Sequence, residues 1–296
     1  MIYNNQNLKK SIFENLKKYL GQRDTFDLPK LIICNFGSDL ASAKYIKMKV
    51  KMGALLGLNV IQYDYDEFIS ELHRVPSDKE LTPGLIIQLP LQNINQNQLL
   101  HAQKVWYYQS NMRYLDVDFL SGHWNNQLWK LGLLPPTIQA IDYVLKDILK
   151  PNPNLKALSK NELDLRDKTI AIVGQGELVG KFMANYCINR GATVISINKY
   201  TLKPQMLARM ADIVICATGV SGLIDLDWLK PRSIVIDAGT SEVSGAILGD
   251  LKSEVIESNF DGIICKSPGG IGPITVLSIF ENLIKMADLQ KKGLLA

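Results

Sequence analysis

One segment constrains the fold more than any other. An uninterrupted apolar run over residues 169–173 breaks at Gly174-Gln175-Gly176 and resumes as a helical pattern over about 179–189, with Gly180 near its start. A strand that feeds a helix through so short a turn belongs to a βαβ unit, because parallel strands need a helical crossover between them. Apolar runs at 193–198, 213–217 and 233–237 supply partners for that strand. Upstream, residues 31–36, 59–65 and 84–89 read as strands, and residues 41–56 and 137–149 as helices. The expected fold class is therefore α/β throughout. Residues 150–166 carry Pro151, Pro153 and several asparagines and read as an exposed loop. Residues 274–291 return to helical spacing and can complete the earlier domain.

At 296 residues the chain is long enough for two domains that each bury a core. A hydrophobic fraction of 47% with 21% charged residues points to compact folding and away from disorder. No run approaches the roughly 18 to 20 apolar residues of a membrane span, and the polar start does not read as a signal peptide. A cytoplasmic protein is expected. Cys34, Cys187, Cys216 and Cys265 are scattered, with no CxxC pair, and read as reduced buried thiols. With 3 histidines, also scattered, no metal site is expected. A net charge of +4 without a basic stripe argues against nucleic acid, yet leaves room for a small anionic ligand.

The glycine turn suits such a ligand. Backbone N–H groups and a helix N-terminus converge there, which favours a pyrophosphate. The spacing of Gly174, Gly176 and Gly180 is one residue longer than the usual dinucleotide fingerprint, and any tight turn between strand and helix also favours glycine. After the following strand stand Asn198, Lys199, Tyr200 and Thr201 in place of the acidic residue that would bind the ribose of NAD. NADP is therefore the expected cofactor, with NAD possible. The alternative for Lys199 is a solvated surface lysine.

Three further segments carry a resemblance. They are Gly37-Ser38-Asp39-Leu40-Ala41-Ser42-Ala43-Lys44-Tyr45-Ile46-Lys47-Met48-Lys49, Gly84-Leu85-Ile86-Ile87-Gln88-Leu89-Pro90-Leu91, and Pro268-Gly269-Gly270-Ile271-Gly272-Pro273-Ile274-Thr275. Together with residues 212–219 and 234–239, they make the chain similar to the bifunctional methylenetetrahydrofolate dehydrogenase and methenyltetrahydrofolate cyclohydrolase family. The resemblance implies an enzyme that oxidises 5,10-methylenetetrahydrofolate with NAD(P) and hydrolyses the product to 10-formyltetrahydrofolate. It also implies two α/β domains flanking a cleft. Residues 1–136, completed by 274–296, would bind folate, and residues 137–273 would form a Rossmann-like dinucleotide domain. A homodimer through the nucleotide domains is implied as well.

Ser42, Tyr45 and Lys49 are spaced i, i+3 and i+7, so they share one helix face. A tyrosine ring stacks on a flat pterin or aminobenzoyl group, and a lysine withdrawn from water can move protons. An ordinary amphipathic helix is the alternative, since Lys44, Lys47 and Lys51 lie nearby. Gln88 interrupts an apolar strand, where its amide must find a partner. In the family this glutamine bonds the lysine, so Lys49, Gln88 and Tyr45 are the expected catalytic residues. Ser42, Leu89, Pro90, Asp118, Pro268, Gly269 and Gly270 join Tyr45 and Gln88 as expected folate contacts. Asp118 would accept from the pterin edge. The expected dinucleotide contacts are Gly174, Gln175, Gly176, Val179 and Gly180 at the turn, then Asn198, Lys199, Thr218, Gly219, Gly239, Gly272 and Thr275.

The chain departs from the family pattern at several points. Phe119 stands where the family has glycine, Pro135 to Ala140 alters a P-C-T-P-x-G stretch, and Gln175 replaces an arginine used for the 2′-phosphate. Asn198-Lys199 replaces a His-Ser pair, and the family's usual first strand is missing. Two alternatives follow: a member that keeps one activity or only ligand binding, and a shikimate-type small-acid dehydrogenase. The latter leaves Ser42, Tyr45, Lys49 and Gln88 unexplained.

Overall fold

The structure is a computed structural model that describes residues 1–24, 27–35, 40–71, 81–89, 114–120, 130–149 and 162–295. It divides into two compact units: Lys10–Pro136 with Val276–Ala296, here the first unit, and Met1–Lys9 with Thr137–Thr275, the second.

In the first unit β1 (Leu31–Cys34), β2 (Val60–Tyr63), β3 (Gly84–Ile87) and β4 (Leu115–Asp116) form a parallel sheet in the order β2-β1-β3-β4. Every residue of β3 is buried, as a parallel strand covered on both faces requires. Helix α1 (Gln6–Leu20) precedes the sheet and α2 (Leu40–Leu56) follows β1. The sequence reading has no counterpart for α1, which buries Ile12, Leu16 and Leu20 and alternates its apolar residues with lysines and asparagines. Tyr19 in the last turn of α1 and Arg23 just beyond it both reach the carboxylate of Asp288.

The strand expected over 59–65 is shorter, and Tyr65 starts a helix, α3 (Tyr65–Glu71). Asp64 and Glu67 explain why. The Glu67 N–H donates to the Asp64 carboxylate at 2.9 Å, and the Asp64 N–H donates back to Glu67 at 3.1 Å, a reciprocal capping box.

The second unit holds β5 (Thr169–Val173), β6 (Thr193–Ile197), β7 (Ile213–Cys216), β8 (Ile234–Asp237) and, after a short antiparallel hairpin of β9 (Ser241–Val243) and β10 (Ala246–Leu248), β11 (Ile263–Cys265). Its five-stranded parallel sheet runs β11-β8-β7-β5-β6. Helices α4 (Pro136–Ile148), α5 (Gly180–Asn189), α6 (Pro204–Ala208) and α7 (Ser253–Glu257) occur in chain order. The core includes Val173, Val214, Cys216, Trp228, Val235 and Ile264.

The N-terminal residues, which the sequence reading joins to residues 10–136, group with this unit instead. Ile2 bridges Ile264 in parallel, and the Tyr3 N–H donates to the Ile264 carbonyl at 2.8 Å. The free edge of β11 thus gains a short neighbour. Helix α8 (Ile271–Lys291) carries the chain from the second unit back to the first. In the first unit its Leu283 lies so close to Gly84 that a side chain on β3 there would clash.

Candidate functional site

In an open parallel sheet, ligands bind beyond the carboxyl ends of the strands where the chain order reverses. In the first unit that point lies between β1 and β3. Gln88 follows β3 there, and its N–H extends the ladder to the Cys34 carbonyl at 2.9 Å. Its side chain then finds two partners: Oε1 accepts from Lys49 Nζ at 3.0 Å, and Nε2 donates to the Leu89 carbonyl at 2.7 Å. The Ser42 hydroxyl reaches the same carbonyl at 3.3 Å. Asp118 approaches from the turn after β4, with Oδ2 4.0 Å from Lys49 Nζ. Tyr45 is half-buried one helical turn before Lys49, whereas Pro90 lies outside the described residues.

Lys49 is only 6% exposed. Burial lowers its pKa, and the nearby Asp118 carboxylate partly opposes that. Burial raises Asp118 in turn, against the pull of Lys49 and with the help of Asp116. Both groups are thereby pushed toward their neutral forms. The two aspartates of the turn divide their work: Asp116 accepts from the Leu120 N–H at 3.2 Å and shapes the backbone, while Asp118 meets the amine.

Phe119 has φ of +61° and is buried. The position keeps a left-handed conformation that glycine adopts more readily, at a cost of about 1 kcal/mol to a larger residue. Sequence reading overlooks Asn282, whose amide donates to the Val117 carbonyl at 3.3 Å and the Leu134 carbonyl at 2.8 Å. It secures the residue before Asp118. An asparagine in the apolar stripe of the last helix was the available signal.

In the second unit the strand order reverses between β5 and β7. Gly174 has φ of +102°, and a side chain there would run into the Ala217 carbonyl. One on Gly180 would strike the Gly174 carbonyl, whereas Gly176 faces open space. The turn is thus closed on one side and open on the other, a cradle a phosphate can approach. Val179 caps α5 with no side-chain bond. Gln175 folds back, its Nε2 donating to the Ile172 carbonyl at 3.1 Å. Asn198 accepts from the Tyr200 N–H at 2.9 Å, and the Lys199 ammonium lies 5.0 Å from the centre of the Tyr200 ring.

Two buried carboxylates lie beneath the neighbouring loops. Asp237 accepts from the N–H groups of Gly239, Asp250 and Leu251 at 3.0 to 3.1 Å, and burial pushes its pKa up to about 6. Asp250 accepts from Thr218 at 2.6 Å and Val220 at 3.1 Å, and also from Gly219. Further along, the Asn5 side chain donates to the carbonyls of Gly269 and Gly270 at 2.9 and 2.5 Å, next to the exposed Pro268. Gly272 and Thr275 fall in the first turns of α8, where the Thr275 hydroxyl donates to the Ile271 carbonyl at 3.2 Å. Among the described residues no cluster of His, Cys, Asp or Glu could hold a metal ion, and no helix is long and apolar enough to cross a membrane.

Residues 150–291 match the family model described as "Tetrahydrofolate dehydrogenase/cyclohydrolase, NAD(P)-binding domain". The bifunctional protein FolD of a Hydrogenobaculum species is 32% identical, over 96% of this chain and 97% of that protein. The solved bifunctional FolD of Campylobacter jejuni is similar along 98% of this chain and 99% of its own, with 26% identity and a TM-score of 0.75. The Thermoplasma acidophilum bifunctional 5,10-methylenetetrahydrofolate dehydrogenase/cyclohydrolase aligns over 99% of this chain and 100% of its own, at 25% identity with a TM-score of 0.75.

Proposed function

The chain belongs to the tetrahydrofolate dehydrogenase/cyclohydrolase family, and from that premise we propose that its first unit binds folate at Lys49 while its second binds NAD(P) at the glycine turn. The reactions are oxidation of 5,10-methylenetetrahydrofolate to the methenyl cation and hydrolysis of that cation to 10-formyltetrahydrofolate. One observation carries the reading. A buried lysine is held by the Gln88 side-chain amide oxygen at 3.0 Å beside a carboxylate at 4.0 Å, at the switch point of a parallel sheet.

Burial favours the neutral amine, which can take a proton from water as that water adds to the cationic carbon. Breaking one carbon–nitrogen bond then leaves the formyl group on the other nitrogen. Gln88 is the positioning residue, since its oxygen fixes where the amine points. Tyr45 supplies a ring face one turn away for the flat substrate, while Ser42 and Leu89 border the same strand end.

The glycine turn fits a dinucleotide, with Gly174 and Gly180 closing the backbone and Gly176 leaving room for a phosphate. The bound nicotinamide supplies a hydride acceptor. Along the dinucleotide we assign Gln175, Val179, Asn198, Lys199, Thr218, Gly219, Gly239, Gly272 and Thr275, and we keep Pro268, Gly269 and Gly270 as proposed folate contacts. Turnover of methylenetetrahydrofolate with each cofactor, measured beside hydrolysis of methenyltetrahydrofolate, tests the whole reading. A folded protein that performs neither reaction contradicts it. We also propose a cytoplasmic homodimer; light scattering, which reads the mass in solution, checks the dimer.

The cofactor preference should be NADP over NAD by roughly fivefold to tenfold, because an exposed lysine contact to phosphate is screened by salt. Lys199→Ala should bring the two close to parity, and raising ionic strength should shrink the preference in the parent enzyme. A strong NAD preference would instead assign the choice to Gln175.

Asp118→Ala should weaken folate binding more than it slows turnover, since a contact to the pterin edge acts in ground and transition states alike. The structure adds a second expectation. Removing the carboxylate 4.0 Å from Lys49 leaves burial unopposed, so the pH at which the amine becomes neutral should fall further. The hydrolysis profile of the variant should therefore shift to lower pH. A rate loss at saturating folate with unchanged binding and an unmoved profile contradicts both.

A further inference from the structure

Asp250 is fully buried, yet it makes no contact in the reactions described above. Its carboxylate collects the N–H groups of Thr218, Gly219 and Val220, the loop that leaves β7 at the switch point. Asp237 holds the backbone of Asp250 in turn, at 3.1 Å. Gly239 is bare for the same reason, because a side chain there would collide with the Asp250 carboxylate.

The consequence concerns what the loop can present outward. With its donors turned inward onto a carboxylate, the loop has no N–H to offer an anion, and the buried negative charge disfavours a phosphate. Its outer surface is the exposed Gly219 and Val220, the latter 53% exposed. That surface suits an uncharged ring and sugar hydroxyls.

The sheet order says which part of the ligand arrives there. Strands run β6-β5-β7, so a dinucleotide with its adenosine ribose at Lys199 after β6 and its pyrophosphate at Gly174 after β5 lays its other half over β7. We infer that Asp250 is a positioning residue for the nicotinamide half of the dinucleotide: it presets the Thr218–Val220 loop as an apolar, anion-rejecting seat and leaves phosphate binding to the glycine turn. This rests on the reading of the second unit given above.

Asp250→Asn tests it, because the amide keeps the shape but can no longer accept from every donor of the loop. KM for NADP and for NAD should rise together by about tenfold, the usual scale for a lost charge-assisted bond. Inhibition by adenosine 2′,5′-bisphosphate, which lacks the nicotinamide half, should stay within about twofold of the parent, as a contact confined to the other half requires. Hydrolysis of methenyltetrahydrofolate reports on the fold of the first unit and should be unchanged.

A variant with an unaltered dinucleotide KM overturns the inference, as does weakening of the bisphosphate in step with the dinucleotide. A parent enzyme that binds no dinucleotide overturns the reading of the second unit and the inference with it. Should Asp250→Asn fail to fold, Asp250→Glu keeps the charge but moves the carboxylate off the loop N–H groups and is judged by the same comparison of whole dinucleotide with bisphosphate.

Discussion

Lys49→Ala should reduce methenyltetrahydrofolate hydrolysis by about 10²- to 10⁴-fold, the range for a lost general base, while dinucleotide binding changes little. The amine and the glycine turn belong to different units of the chain, so the two properties should separate. Lys49→Arg should not rescue the rate, because a guanidinium stays charged.

The pH dependence follows from the direction of the shift. The pKa of Lys49 is lowered below its ordinary 10.5 by burial, so in the parent enzyme the neutral amine accumulates earlier as pH rises. Hydrolysis should climb through that lowered value and not through 10.5. The sign for stability is consistent. Between the lowered and the ordinary value the unfolded chain binds more protons than the folded one, so stability rises with pH across that window and Lys49 costs stability below it. A hydrolysis rate unaffected by Lys49→Ala would sink the assignment.

Gly174→Ala should abolish dinucleotide binding, by at least about 100-fold. The φ of +102° is unfavourable for any side chain, and the added methyl would meet the Ala217 carbonyl across the switch point. Left-handed strain of about 1 to 2 kcal/mol adds to overpacking of about 1 to 3 kcal/mol. The turn can relieve both only by moving away from β7. Dinucleotide affinity, measured by fluorescence titration, and hydrolysis of methenyltetrahydrofolate are the two readouts. Loss of the first with retention of the second is expected, whereas unchanged affinity would mean that the phosphates bind elsewhere.

Much of this was legible because the informative residues break local rules. Gln88 stands out in the apolar run that becomes β3, and three glycines punctuate one strand-to-helix turn. The parallel strands were visible as apolar runs because sheets covered on both faces are apolar along their whole length. Helix α1 was passed over for another reason: Leu8, Ile12, Leu16 and Leu20 recur at intervals of four, but the polar residues between them leave no uninterrupted apolar run. Helix α3 carried its own signal in Asp64 and Glu67, a local pair that a reading of apolar runs passes over.

The sequence by itself determined the α/β class, the tight turn at Gly174 and the shared face of Ser42, Tyr45 and Lys49, because each depends on residues within a turn or two of one another. Tertiary structure decided the rest. Strand order, set by packing between distant segments, brings Gln88 and Asp118 to Lys49 across 39 and 69 positions of chain. It also turns Asp250 beneath a loop 30 residues earlier and joins Ile2 to β11 near the other end of the chain. The protonation balance of Lys49 belongs to the same category. It is fixed by burial and by the distance to one carboxylate, quantities that arise only once those segments have packed together.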